Sequence, residues 1–160
     1  METVITLWLD QQQVNYRLLL QSKPTTSIEE TAQERGIDPS QMVKCILLKD
    51  MDNQYALACT AGDRSVDPKK VRSILNCRRM TCVSLSDVES ITGFKAGCVG
   101  PLALKRYMPI IFDPSIQNNS TVTISSGDRM AGIALDPNDL MTLCAPIIAE
   151  ISRRSDQYSD

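Results

Sequence analysis

The sequence predicts an α+β fold, with a mixed, largely antiparallel sheet or partly closed barrel and helices packed outside it. Three observations predict this. Short β-prone runs outnumber helical segments, several connections between runs are too short for a helical crossover, and helix-start signals recur between them. The chain has 160 residues, 42% hydrophobic and 22% charged, which suits one compact domain whose core needs no metal or disulfide. Neither a low-complexity linker nor an internal repeat interrupts it, so residues 1–160 are read as a single domain.

The opening METVITLWLDQQQ lacks a positive n-region and a long apolar segment, so it is not read as an export signal. No run approaches the ~20 apolar residues of a membrane helix. A cytoplasmic protein without a membrane partner is the resulting expectation. The first β-prone run covers residues 14–20. Thr26 and Ser27 each stand three residues before a glutamate (Glu29 and Glu30), as in a capping box, and Gly36 supplies the stop after Arg35.

Further β-prone runs follow at 42–49, 55–60, 79–84, 109–112, 121–125 and 132–135. Between them Asp38-Pro39, Asp67-Pro68, Asp113-Pro114 and Asp136-Pro137 read as helix or turn starts. Aspartate accepts from an orphan N–H there, and proline at the first helical position wastes no donor. Ser86 precedes Glu89 by three residues, a second capping-box pattern, with Gly93 as its stop. After Asp136, Leu140, Leu143, Cys144 and Ile147 recur at helical spacing. The polar stretch 153–160 is expected to fray.

Composition also excludes chemistry. There is no histidine, which removes Ser-His-Asp and Cys-His nucleophilic catalysis in their usual forms. The six cysteines (45, 59, 77, 82, 98 and 144) contain no C-x-x-C pair, so neither structural zinc nor a disulfide framework is expected. The net charge of −2 gives no overall attraction for nucleic acid. Charge is uneven, however. Residues 63–79 hold six basic side chains against two acids, while 26–40 hold four acids against Arg35 alone. The basic stretch, with Lys69, Lys70 and Arg72 on a helix begun at Pro68, is either a solvated face or a contact patch for phosphates.

Lys44 is the most informative single residue. In the run 42–49 alternate side chains share a face, which sets Val43, Cys45 and Leu47 against Met42, Lys44, Ile46 and Leu48. A lysine on an apolar strand face must snorkel, pair with an acid, or line a cavity that receives a polar ligand. The stretch Gly97-Cys98-Val99-Gly100-Pro101 is a small-residue loop able to turn backbone N–H groups toward an oxyanion or a hydroxyl. Cys98 also admits a thiol hydrolase in which Lys44 lowers the thiol pKa.

These segments resemble, in order and spacing, the YbaK and prolyl-tRNA synthetase-associated editing-domain family. The resemblance rests on Val43-Lys44-Cys45-Ile46-Leu47-Leu48, on Leu57 through Arg64, on Thr92-Gly93-Phe94 and on the G-x-x-x-P loop. Ile124-Ser125-Ser126-Gly127 and Leu135-Asp136-Pro137-x-Asp139-Leu140 add to it, and it covers about residues 7–150. It implies a trans-acting aminoacyl-tRNA deacylase that hydrolyses the ester of mischarged tRNA, without metal, cofactor or covalent intermediate. A non-catalytic module binding tRNA or a synthetase is the alternative. The implied catalytic set is Lys44, Gly97, Cys98, Val99, Gly100 and Pro101, with Ser125 near the pocket; on charge alone, Lys69, Lys70 and Arg72 are the candidate contacts for the tRNA backbone. The implied partners are mischarged tRNA and an aminoacyl-tRNA synthetase, not DNA. Many relatives carry glycine where Cys98 stands, and its side chain is expected either to narrow the amino-acid pocket or to change the backbone angles available there.

Overall fold

The computed structural model describes residues 1–154. Among the described residues there are three sheets and five α-helices: α1 (Val4–Gln11), α2 (Ile28–Arg35), α3 (Pro68–Leu75), α4 (Val88–Thr92) and α5 (Pro137–Cys144). The largest sheet runs β5 (Thr81–Cys82), β2 (Val43–Lys49), β3 (Tyr55–Ala61), β6 (Ile110–Phe112) and β9 (Ile147–Ile148). A second sheet orders β1 (Arg17–Leu20), β8 (Ala131–Leu135) and β7 (Val122–Ser125), and β10 (Ser152–Arg154) pairs with β4 (Arg64–Val66). The expected α+β class is borne out. Among the described residues five ladders are antiparallel and two, β3–β6 and β6–β9, are parallel. No barrel closes among them. A single parallel bridge, Met42 to Thr123, joins the two larger sheets.

Each Asp-Pro pair starts a helical turn. The carboxylates of Asp38, Asp67, Asp113 and Asp136 accept from the N–H two residues on. Ser27, rather than Thr26, caps α2 by accepting from the Glu30 N–H at 3.1 Å, and Gly36 ends it at φ 70°. The pattern at Ser86 forms no cap, because a 3₁₀ turn over Leu85–Asp87 runs straight into α4 and leaves Ser86 inside it. α5 stops at Cys144 with Ala145 at φ 44°, so Ile147 lies in β9 instead of continuing the helical face. Arg153 and Arg154 pair with β4; the rest of the expected frayed tail, 155–160, lies outside the described residues.

Alternation along β2 and β3 produces two apolar layers. Leu47, Leu57 and Cys59 join Phe112, Ile124 and Leu140 in the main core. Leu48, Ala56 and Ala58 pack with Ile111, Ile151 and Val71 of α3 in the second. Asp113 ties the C-terminal strand to this frame. Its Oδ1 accepts from the Ile151 and Ser152 N–H groups at 3.0 and 3.1 Å, and it is almost fully buried.

Candidate active site

The open edge of β2 creates the cavity. β3 flanks this strand from Val43 to Lys49, but β5 meets it only at Leu48 and Lys49. Residues 43–46 have no strand on their other side among the described residues. They instead form one wall of a cavity of about 690 Å³, completed by α2, by Val83 and its neighbours, by Ala96, Gly97 and Val99, and by the end of β7. Ligand pockets for molecules of nucleotide size fall in this range.

Lys44 lines this cavity and is half-buried. Burial lowers its ammonium pKa, while the carboxylates of Glu29 and Asp63 act the other way. Among the described residues no carboxylate lies within ion-pair distance of it. Lys44 thus lines the cavity without an acidic ion-pair partner among the described residues.

The glycine-rich loop contributes Gly97 and Val99 to the lining of the same cavity. Gly97 has φ 85°, a left-handed conformation that costs a side-chain-bearing residue energy. Ser125 anchors the loop: its Oγ donates to the Cys98 carbonyl at 2.7 Å and accepts from the Gly127 N–H at 3.1 Å. Gly100 lies on the Ser125 backbone, where an added Cβ would stand 3.5 Å from the carbonyl oxygen. Cys98, Gly100 and Pro101 are outside the cavity wall, and Cys98 is buried. The Cys98 side chain therefore does not narrow the cavity, and the thiol is not presented to it.

Two of the other thiols, Cys59 and Cys144, are also unsuited to attack. Cys59 donates to Cys45 Sγ at 3.3 Å, and burial, reinforced by that hydrogen bond, raises the Cys59 pKa. Burial pushes Cys144 to about 12, and its Sγ donates to the Pro101 carbonyl at 3.4 Å. Neither thiol supplies a thiolate near neutral pH.

The basic helix stands apart. Lys69 and Arg72 are exposed on α3, whereas Lys70 Nζ donates to the Ser152 carbonyl at 2.9 Å. None of the three lines the cavity. Three charged side chains that sequence reasoning did not select do line it: Arg35, Asp128 and Arg129. For Arg35 a signal existed, since it is the one cation within the acidic stretch 26–40.

A family model described as the aminoacyl-tRNA editing domain matches residues 22–143, a span holding Lys44, the loop and Ser125. The chain belongs to this family. Its members are hydrolases of the aminoacyl ester, the reaction class inferred from the sequence. The editing domain is 25% identical over 133 residues to an Enterococcus faecalis protein named as a candidate Cys-tRNA(Pro)/Cys-tRNA(Cys) deacylase, covering 83% of this chain and 81% of that one. It is 36% identical over 91 residues to a Bacillus licheniformis proline–tRNA ligase, covering 57% of this chain but only 16% of the ligase. Its fold matches the crystal structure of the hypothetical protein APE2540 with a TM-score of 0.85 at 21% identity, over 93% of this chain and 99% of that one. A crystal structure described as a candidate trans-editing enzyme for prolyl tRNA synthetase matches with a TM-score of 0.78 at 21% identity, over 91% and 92% of the two chains. No helix among the described residues is long and apolar enough to cross a membrane.

Proposed function

We propose that this editing domain acts in trans on mischarged tRNA and cleaves the aminoacyl ester by attack of a positioned water. One observation carries the reading. A single cavity is lined both by Lys44, on an open strand edge, and by Gly97 and Val99 of a loop clasped by Ser125. In this arrangement Lys44 holds the acceptor end, and loop backbone N–H groups hold the ester carbonyl. Water adds to that carbon, the bond to the ribose oxygen breaks, and the proton passes to the departing oxygen. The neighbouring ribose hydroxyl relays it, because the chain has no histidine and an aminoacyl ester is already activated by its α-ammonium. Orientation and oxyanion stabilisation supply most of the rate.

The reaction needs no metal ion. The absence of histidine, the commonest transition-metal ligand, from the sequence motivates this reading. Chelator should leave the rate unchanged. The names of the relatives direct a deacylation panel first to cysteine on tRNA(Pro). Wild-type protein should release the amino acid from at least one mischarged tRNA, and Lys44→Ala should slow release by about 100-fold, the size of effect expected from losing substrate positioning. A tRNA ending in a deoxyribose that lacks the neighbouring hydroxyl should react far more slowly. Tight binding of the whole panel without release would instead identify a non-catalytic module.

A further inference from the structure

Arg35 closes the last turn of α2, where a cation suits the helix dipole. Its side chain, however, reaches across to the β1–β8–β7 sheet. Nε donates to Gln21 Oε1 at 2.7 Å. The guanidinium lies directly on Gly132 of β8: a Cβ built there would stand 2.3 Å from Nη1 and 2.9 Å from Cζ. Gly132 is the register partner of Ser125. Directly opposed residues project to the same face with their Cβ positions roughly 5 Å apart. The guanidinium thus fills the space beside Ser125 that a larger residue at 132 would take, and it is in electrostatic reach of Cys98, whose carbonyl Ser125 holds.

The same residue lines the cavity, and among the described residues its charge has no counterion. Among the described residues no carboxylate forms an ion pair with Arg35, and only Nε donates a hydrogen bond. Burial lowers its pKa, but a guanidinium stays charged at any pH the protein experiences. A half-buried guanidinium whose terminal donors have no protein partner among the described residues is free to bind an anionic ligand from the cavity.

We propose that Arg35 recognises an anionic oxygen of the substrate, held by its Nη groups beside the Ser125-clasped loop. Two oxygens of an aminoacyl-tRNA end have this chemistry: the oxyanion that develops at the ester carbonyl, and the phosphate of the terminal nucleotide. The assignment rests on the deacylase reading. Gly132 belongs to the same device, because only a residue without a side chain leaves room for the guanidinium.

The test uses 3′-O-aminoacyl adenosine with and without a 5′-phosphate, cleaved by wild type, Arg35→Gln, Arg35→Lys and Gly132→Ala. Arg35→Gln should lose roughly 10- to 100-fold, the range of a charge-assisted hydrogen bond. A fall in kcat on both substrates assigns the oxyanion; a rise in KM confined to the phosphorylated one assigns the phosphate. Arg35→Lys should keep part of the activity. Gly132→Ala retains the charge and the strand's backbone hydrogen bonds but displaces the guanidinium, so it should impair the same parameter. Combining it with Arg35→Gln should add nothing. Wild-type kinetics in Arg35→Gln or Gly132→Ala, or additive losses in the double variant, overturn the proposal.

Should wild type cleave no substrate, the deacylase reading fails separately. Arg35 is then judged by binding of an adenosine 3′-phosphonate ester, which mimics the tetrahedral anion, and of adenosine 5′-monophosphate. A loss of about tenfold or more in Arg35→Gln for either ligand sustains anion recognition; unchanged affinity for both removes it.

Discussion

On the deacylase reading, the Ser125 hydroxyl serves the chemistry by holding the loop, without touching the reacting bond. Its donor is committed to the Cys98 carbonyl and its acceptor to the Gly127 N–H. Ser125→Ala leaves both backbone groups without their partner, at a cost of about 1–3 kcal/mol, and releases the loop from β7. Turnover should fall about 10- to 100-fold, as expected when a positioning group shifts by an ångström or so. KM should change less, and Ser125→Thr should restore most of kcat by returning the hydroxyl. An Ala variant with wild-type kcat would show that the clasp is dispensable. At this scale legibility depends on whether a residue breaks a local rule. Lys44 does, as an ammonium on an apolar strand face, and the sequence pointed to it directly. Arg35 breaks none, because a cation at a helix C-terminus is locally satisfactory. Its orientation depends on the missing Cβ of Gly132, a distant residue brought near only by the fold. Cys98 misled for the opposite reason: its place in the loop was legible, but its burial away from the cavity was not.

Helix and strand starts depend on short-range chemistry, which explains why the Asp-Pro turns, α2 and the long strands could be read from the chain alone. α1 could not. Val4–Gln11 is rich in residues that also favour strands, and its cap is the less familiar reciprocal pair of Thr3 and Thr6. β4, β9 and β10 are two or three residues long and exist through pairings with distant segments. Asp113 fastens one of these. Burial raises its pKa, but hydrogen bonds from Ser115, Ile151 and Ser152 outweigh that effect and hold it below the ordinary carboxylate value. The stabilisation is therefore fully present above the unfolded pKa, ~3.9, and is lost as pH falls through the lower folded value. Asp113→Asn cannot accept all of these N–H groups and should lose about 2–4 kcal/mol at neutral pH. In urea unfolding at pH 7 and near pH 3, the gap between wild type and the variant should shrink in acid. A gap independent of pH would mean that the carboxylate's charge has no part in holding β10.

The whole molecule carries a net charge of −2, so any attraction for tRNA has to be local. The cavity of about 690 Å³ accommodates an aminoacyl-adenosine, which leaves the rest of the acceptor arm outside it. α3 is the surface we propose for that arm. The structure divides its three cations: Lys69 and Arg72 are exposed, while Lys70 is bonded to the Ser152 carbonyl and supports β10. Lys69→Gln with Arg72→Gln should weaken tRNA binding and lower the magnitude of the slope of log K against log salt by about 0.7–0.9 for each phosphate no longer neutralised. Lys70→Gln should act mainly on stability. The control is the size of the substrate. Hydrolysis of 3′-O-aminoacyl adenosine, which cannot extend beyond the cavity, should be the same in the double variant and in wild type at every salt concentration. If the two proteins share one salt slope on full-length tRNA, α3 is a solvated face and the tRNA approaches from another side.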